Sequence, residues 1–273
     1  MKKITALVLV LLLGMTALAG CGGGDDGADT SLQDVLDKGV LSCAISPDYA
    51  PYEYLDLVTG EVKGSDVVLV QYIAEQLGVK LQLKQMSFES CLAAVENNSC
   101  DISASNLSWT PERAETMCLS SYYNMDSSMA QTILVMGDKA DQFKTAEDFK
   151  GMKIAAQNGT IQWSLASDQI PDVQVQTITD MGEGVLLLIE GKVDGMVVQV
   201  DVGESYVENY PDVAIPDFLF ENEEAGNVIA SAKGNDALID KISEIINQVE
   251  EDGLYAQWLE EATEDAAAQG LLD

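Results

Sequence analysis

The sequence predicts an α/β fold made of two sets of alternating strands and helices. Two observations predict it. Apolar runs of strand length alternate with stretches of helical spacing over residues 40–105, and the alternation starts afresh over 131–209. Hydrophobic residues make up 47% of the chain and aromatic residues only 6%, so the cores must be built of Val, Ile, Leu and Ala. Beyond residue 30 lie roughly 240 residues, enough for one large or two medium domains at ~100–200 residues each.

In chain order, a short helix is expected over Ser31–Lys38, closed by Gly39, and then a strand at Val40–Ile45. Ser46-Pro47-Asp48-Tyr49-Ala50-Pro51-Tyr52 carries two prolines and two tyrosines and is expected to be a loop. Val58-Thr59-Gly60 reads as a turn. Residues 64–78 have helical spacing, with Val67, Val70, Ile73, Ala74 and Leu77 on one side and Gly78 as the C-terminal cap. A strand follows at 79–85, a helix at Phe88–Glu96 and a strand at 102–105. This β-α-β-α-β order implies a sheet covered by helices on both faces.

The second set opens with a strand at Gln131–Met136 and a short helix at 145–150 with Thr145 as its N-cap. Residues 153–156 are a strand, and Gln157-Asn158-Gly159-Thr160 turns into a helix carrying Trp163 and Leu165. A strand at 173–177, a helix at 180–190, a strand at 193–198 and a helix at 201–209 complete the set. One more strand is expected at 228–232. An amphipathic helix at 236–250 (Leu238, Ile242, Ile245, Ile246, Val249) and a last helix at 253–262 follow, and the acidic tail is expected to fray.

Lys2-Lys3 and the uncharged apolar residues 4–19 read as a secretory signal, covering residues 1–20. The run is too short to span a bilayer comfortably. It ends Leu18-Ala19-Gly20-Cys21, which resembles a bacterial lipobox. That resemblance implies a diacylglyceryl group on the Cys21 thiol and cleavage before it; the alternative is an ordinary signal with an incidental cysteine. Gly22-Gly23-Gly24-Asp25-Asp26-Gly27 then makes a flexible tether within 21–30. The expected location is extracytoplasmic, on the cell membrane through the N-terminal lipid.

Composition excludes several classes. Cleavage would remove Lys2 and Lys3 and leave twelve cations against forty-six acids, a net charge of −34. Such a surface repels nucleic acid and anionic head groups, so membrane contact is expected through the lipid alone. The absence of histidine removes Ser-His-Asp chemistry and the commonest metal ligand. Cys43, Cys91, Cys100 and Cys118 form no C-x-x-C pair, which disfavours zinc and thioredoxin-type sites. They suit either disulfides or small buried thiols. No metal and no cofactor is expected.

Residues 101–113, DISASNLSWTPER, carry the candidate site. Arg113 is the only arginine in the chain. Its guanidinium fork matches a carboxylate two-to-two, as no lysine can. Ser103, Ser105, Asn106, Ser108 and Thr110 precede it. Thr110 reads as an N-cap and Pro111 as the first helical residue. Strand end, polar loop and helix start are where open α/β sheets bind ligands. The alternative is a surface ion pair with Glu112 or Glu115.

The chain resembles the extracytoplasmic solute-binding proteins of ABC importers, in the family that binds polar amino acids. The markers lie in family order from about residue 32 to 262: Ser46-Pro47-Asp48-Tyr49-Ala50-Pro51-Tyr52-Glu53-Tyr54, Gly64-x-Asp66, Thr110-Pro111-Glu112-Arg113, Ser121-Tyr122-Tyr123, Asp148-Phe149-Lys150-Gly151-x-Lys153, Gln157-x-Gly159-Thr160, Gly191-Lys192-Val193-Asp194 and Asp252-Gly253-x-Tyr255. The resemblance implies the type II periplasmic-binding-protein fold, two lobes joined by two hinge crossings with the ligand closed between them. Lobe 1 would be 31–127 plus 229–273, and lobe 2 would be 128–228.

The same resemblance implies the ligand set. Tyr49 and Phe88 would flank the ligand side chain. Ser105 and Ser108 would hydrogen-bond it, with Asn106 a neighbouring candidate, and Arg113 would grip an α-carboxylate. Thr160 would add donors at a helix N-terminus. Three positions depart from the family pattern. Ser65 replaces an aromatic and Val68 an acid. Gln199 replaces the aspartate that usually meets the α-ammonium. Asp201 or Asp48 would then have to supply the missing charge, or the ligand is a carboxylate without an α-amine. The expected function is a lipid-anchored receptor, monomeric and not an enzyme, that hands an amino acid or related carboxylate to an ABC permease. The alternative is an enzyme on this fold resembling cyclohexadienyl dehydratase. That would need a cleft acid or base of shifted pKa drawn from Asp, Glu, Lys or Tyr.

Overall fold

A computed structural model describes residues 29–125, 130–222 and 226–271. The expected signal segment, Cys21 and the glycines of the tether lie outside these described residues.

The chain begins with α1 (Ser31–Lys38), β1 (Val40–Ile45), β2 (Asp48–Tyr49), β3 (Glu53–Leu55) and β4 (Val62–Lys63). Then come α2 (Ser65–Leu77), β5 (Lys80–Gln85), α3 (Phe88–Glu96), β6 (Ile102–Ser103), α4 (Pro111–Thr116) and β7 (Met117–Leu119). The second unit holds β8 (Gln131–Met136), two 3₁₀ turns (Gly137–Gln142 and Ala146–Phe149), β9 (Lys153–Gln157), α5 (Ile161–Gln169) and β10 (Gln174–Ile178). It continues through α6 (Met181–Ile189), β11 (Gly195–Gln199), α7 (Val200–Asn209) and β12 (Val213–Ala214). Last are β13 (Ala230–Ala232), α8 (Asp236–Glu251) and α9 (Leu254–Ala268).

These elements make two five-stranded sheets and a small three-stranded one. The first sheet runs β5-β1-β6-β13-β7 and the second β10-β9-β11-β8-β12, while β2-β3-β4 stand apart. β1 lies parallel to both β5 and β6, with Cys43 opposite Leu83 and Ile102. β13 returns from the far side of the second unit and pairs antiparallel with β6 and β7. Each sheet with its helices is one lobe of a two-lobe α/β fold.

Helices on both faces explain why the central strands are apolar throughout. Five of the six residues of β1 are buried, and all five of β11. Leu238, Ile242, Ile245, Ile246 and Val249 of α8 all face the first core, as their spacing predicts. Fully burying one such side chain is worth about 1.5–3 kcal/mol. Cys43, Cys91, Cys100 and Cys118 are free and buried, and burial pushes the Cys91 thiol up to about 12.

Several details differ from expectation; β3, β4, β12 and the 3₁₀ turn at Gly137–Gln142 are additional, and β6 ends at Ser103. Asp48 and Tyr49 are not in a loop but pair with Tyr54 and Glu53 as a short hairpin. The buried face of α2 uses Leu69 with Val70, Ile73 and Ala74, while Val67 and Leu77 are half-buried. Four apolar residues in a row at 67–70 left that face ambiguous. β7 was not expected, because three residues following a helix show no periodicity. The tail does not fray within the described residues: α9 extends to Ala268, and Ala266 is buried against Tyr54.

Candidate ligand-binding cleft

Gly64 and Asp66 anchor the lobe-1 wall of the cleft. Gly64 has φ +123°, and a Cβ there would lie 2.1 Å from the Tyr52 carbonyl oxygen. Glycine therefore lets the start of α2 press against the hairpin, where the Ser65 and Asp66 amides donate to the carbonyls of Pro51 and Tyr52. The Asp66 carboxylate is fully buried. It accepts from the Asn106 amide at 2.8 Å and from the phenols of Tyr123 (2.8 Å) and Tyr255 (2.7 Å). One acid thus fixes the polar loop after β6 to the helix beneath it.

Arg113 is aimed inward by its short helix. Thr110 caps α4, its hydroxyl accepting from the Arg113 amide at 3.2 Å, and Pro111 is the first helical residue. Arg113 is only 7% exposed, whereas Glu112 and Glu115 face solvent. The buried position supports the cleft over a surface ion pair. Nη2 donates to the Gly159 carbonyl at 2.7 Å and Nη1 to the Ser108 carbonyl. The guanidinium carbon stands 5.7 Å from the centre of the Phe88 ring, within cation–π range.

Nine of the ten expected ligand residues line one cavity: Asp48, Tyr49, Phe88, Ser105, Asn106 and Ser108 with Arg113, Thr160 and Gln199. The Ser105 hydroxyl accepts from the Ser46 amide at 2.9 Å and donates to the Ala104 carbonyl. Thr160 caps α5 by accepting from the Trp163 amide, so the positive end of that helix meets the cavity. Asp201 does not line it. Its carboxylate lies behind Gln199, accepting from the Tyr52 phenol at 2.6 Å, the Gln199 side-chain amide at 3.1 Å and the Val202 amide at 2.8 Å.

The two walls are hydrogen-bonded to each other. Asp48 accepts from the Gln157 side chain at 2.6 Å and the Met181 amide at 3.2 Å. Asn106 donates to Gln199 Oε1 at 3.3 Å, and the Tyr49 hydroxyl accepts from the Gln199 backbone amide at 3.3 Å. Tyr49 and Tyr52 also pack into the core around Met181, Val198 and Val202 of the second lobe. The lobes are shut on a cavity of about 30 Å³, room for on the order of one water. A larger solute enters only if they part.

Burial sets the electrostatics. It is the leading cause holding Asp48 and Asp201 above the usual carboxylate range, with hydrogen bonds opposing it. Tyr49 and Tyr52 are pushed well above ordinary phenols, by burial first and by Asp201 next, so both stay protonated. Among the described residues no group of three or more His, Cys, Asp or Glu is arranged to hold a metal ion.

The cavity has four further lining residues that were not expected: Glu53, Gln157, Ile161 and Gln162. Gln157 stands within one of the markers, and Ile161 and Gln162 follow it. Glu53 had a signal too. Read as a hairpin, residues 48–55 put Glu53 directly across from Tyr49, on the same face.

The pattern of the bacterial extracellular solute-binding proteins, family 3, matches residues 41–263. The arginine-binding extracellular protein ArtP of Bacillus subtilis is 27% identical over 93% of this chain and 94% of its own. The arginine-bound crystal structure of the substrate-binding protein AbpA of Streptococcus pneumoniae superposes with a TM-score of 0.80 at 30% identity, covering 86% of this chain and 98% of that one. The ancestral amino-acid-binding protein AncCDT-1, a precursor of cyclohexadienyl dehydratase, superposes at 0.73 with 27% identity, over 85% and 98% of the two chains.

Proposed function

The chain belongs to the bacterial extracellular solute-binding proteins of family 3, and we propose that it captures an amino acid between its lobes and delivers it to the permease of an ABC importer. The observation that carries this reading is Arg113: one buried guanidinium, bonded from its own lobe and from the other, at the helix start of α5. A ligand carboxylate that displaces the two carbonyls would receive both forks of the arginine and the dipole of that helix. Ser105, Ser108 and Asn106 would bond the polar parts of the ligand, and Tyr49 and Phe88 would flank its side chain. Arginine-binding relatives make a cationic amino acid the first candidate.

We assign lobe 1 to 31–127 and 229–273 and lobe 2 to 128–228, because the strands divide between the two sheets in that way. Opening about two crossings admits the solute, and closure traps it. The protein works outside the cytoplasm. We place a lipid on Cys21, on the strength of Leu18-Ala19-Gly20-Cys21, and a flexible tether after it. The receptor acts as a monomer.

A thermal-shift screen against the amino acids and simple carboxylates tests the reading. A ligand at 100-fold over its Kd should add about 2.7 kcal/mol of apparent stability. Failure of every amino acid to shift the melting curve would reject it. A second reading has one observation in its favour: Glu53 is a buried cleft acid held well above the usual range, as a dehydratase's acid would be. Sustained turnover of prephenate or arogenate would establish the enzyme and displace the receptor.

A further inference from the structure

Glu53 projects from β3 into the cleft and is 2% exposed. Its carboxyl shares a hydrogen bond with the Asp66 carboxylate. Its Oε2 is buried and has no hydrogen-bond partner among the described residues. Buried polar atoms are seldom left so.

The other acids near the cleft are engaged. Asp48 accepts from the Ser46 hydroxyl, the Gln157 side chain and the Met181 amide. Asp201 accepts from Tyr52, Gln199 and the Val202 amide, away from the cavity. Asp66 accepts from Asn106, Tyr123 and Tyr255. Gln199, at the position expected to meet an α-ammonium, donates its amide to Tyr52 and Asp201. Among the described residues only Glu53 combines an acid, a place in the cavity wall and an oxygen with no partner.

We propose that Glu53 is the counter-charge for the cationic group of the ligand, so that the cleft selects a carboxylate that also carries an ammonium or a guanidinium. The proposal rests on the amino-acid-binding reading above and names the residue that reads the charge. Glu53 faces Asp66 from α2, Asp48 from β2, the Tyr123 phenol and the Cys91 thiol from α3, and it lines the same cavity as Arg113. Burial first, then Asp66 and Asp48, push its carboxyl well above the usual range and so favour its protonated form. A bound cation reverses that balance: the O–H bond of Glu53 breaks, the proton passes to solvent, and the carboxylate pairs with the ligand.

Glu53→Gln is nearly isosteric and keeps the bond to Asp66 through its NH₂, while removing the capacity to ionise. Calorimetry on the full chain compares L-arginine, L-citrulline, which lacks the side-chain charge, and 5-guanidinovalerate, which lacks the α-amine. Wild type should prefer arginine to at least one analogue by about tenfold or more, and E53Q should erase most of that preference with a similar loss of arginine affinity. Loss of discrimination against citrulline identifies the guanidinium as the group at Glu53, and loss against 5-guanidinovalerate the ammonium. Arginine titrated in two buffers of different ionisation enthalpy should release a proton from wild type and none from E53Q. Arginine binding unchanged in E53Q, with both preferences and the proton release retained, overturns the proposal and leaves the receptor reading standing. A wild type that binds no amino acid overturns both.

Discussion

Asn106 on one lobe donates its side-chain amide to Gln199 Oε1 on the other, 3.3 Å away. The glutamine answers with its own NH₂, which donates to the Tyr52 phenol and to Asp201, both at 3.1 Å. One neutral side chain therefore ties the polar loop of lobe 1, the aromatic hairpin and the start of α7. Aspartate cannot fill that role, since it donates nothing once ionised.

Gln199→Asp should accordingly destabilise the protein. It sets a second carboxylate against the buried Asp201 and deprives that acid and Tyr52 of a donor. The expected loss is roughly 3–5 kcal/mol at pH 7, the range seen when a buried charge loses its partner. Urea unfolding measures it, and the loss should shrink toward pH 4 as the pair takes up a proton. Stability equal to wild type at both pH values would show that the Gln199 contacts are dispensable.

Glu53 also makes stability depend on pH. Its folded pKa lies well above the ordinary 4.5, by burial and then by Asp66 and Asp48. A raised carboxyl stabilises the fold fully below its unfolded pKa, and that contribution is lost as pH rises through the folded value. Glu53→Gln escapes this loss. Its stability relative to wild type should match near pH 4 and then improve with pH, by up to about 1.4 kcal/mol per unit, until Glu53 ionises in the fold. Denaturant midpoints of the two proteins from pH 4 to 8 give the curve. A constant difference would mean that Glu53 titrates normally.

Cys21→Ser should abolish lipid labelling and detergent-phase partitioning in the producing cell, because the proposed diacylglyceryl group would be bonded to that sulfur. Two acyl chains on one residue anchor stably where a single chain does not. Labelling that persists in the serine variant would move the attachment elsewhere.

Much of this fold is legible in the sequence because helix and strand periods are written in the apolar residues. β1, β8 and α3 begin and end at the residues expected from the sequence. The hairpin at Asp48 and Tyr49 was illegible, since a two-residue strand between prolines has no period to read. Losing it hid Glu53, whose direction is set by pairing with Tyr49. Most of the remaining site was legible from ordered markers, but Asp201 was not. Two residues beyond Gln199, it belongs to the first turn of α7, and the helix turns its carboxylate behind the wall.

The central claim is that Arg113 holds the ligand's carboxylate inside the closed cleft. Calorimetry of the amino acid found by screening, on wild type, Arg113→Ala and Arg113→Lys, tests it most directly. Truncation to alanine should cost on the order of 2–5 kcal/mol of binding free energy, as for a desolvated charge pair. Lysine should recover only part of that, keeping the charge and losing the planar fork. Near-wild-type affinity in both variants would contradict the account.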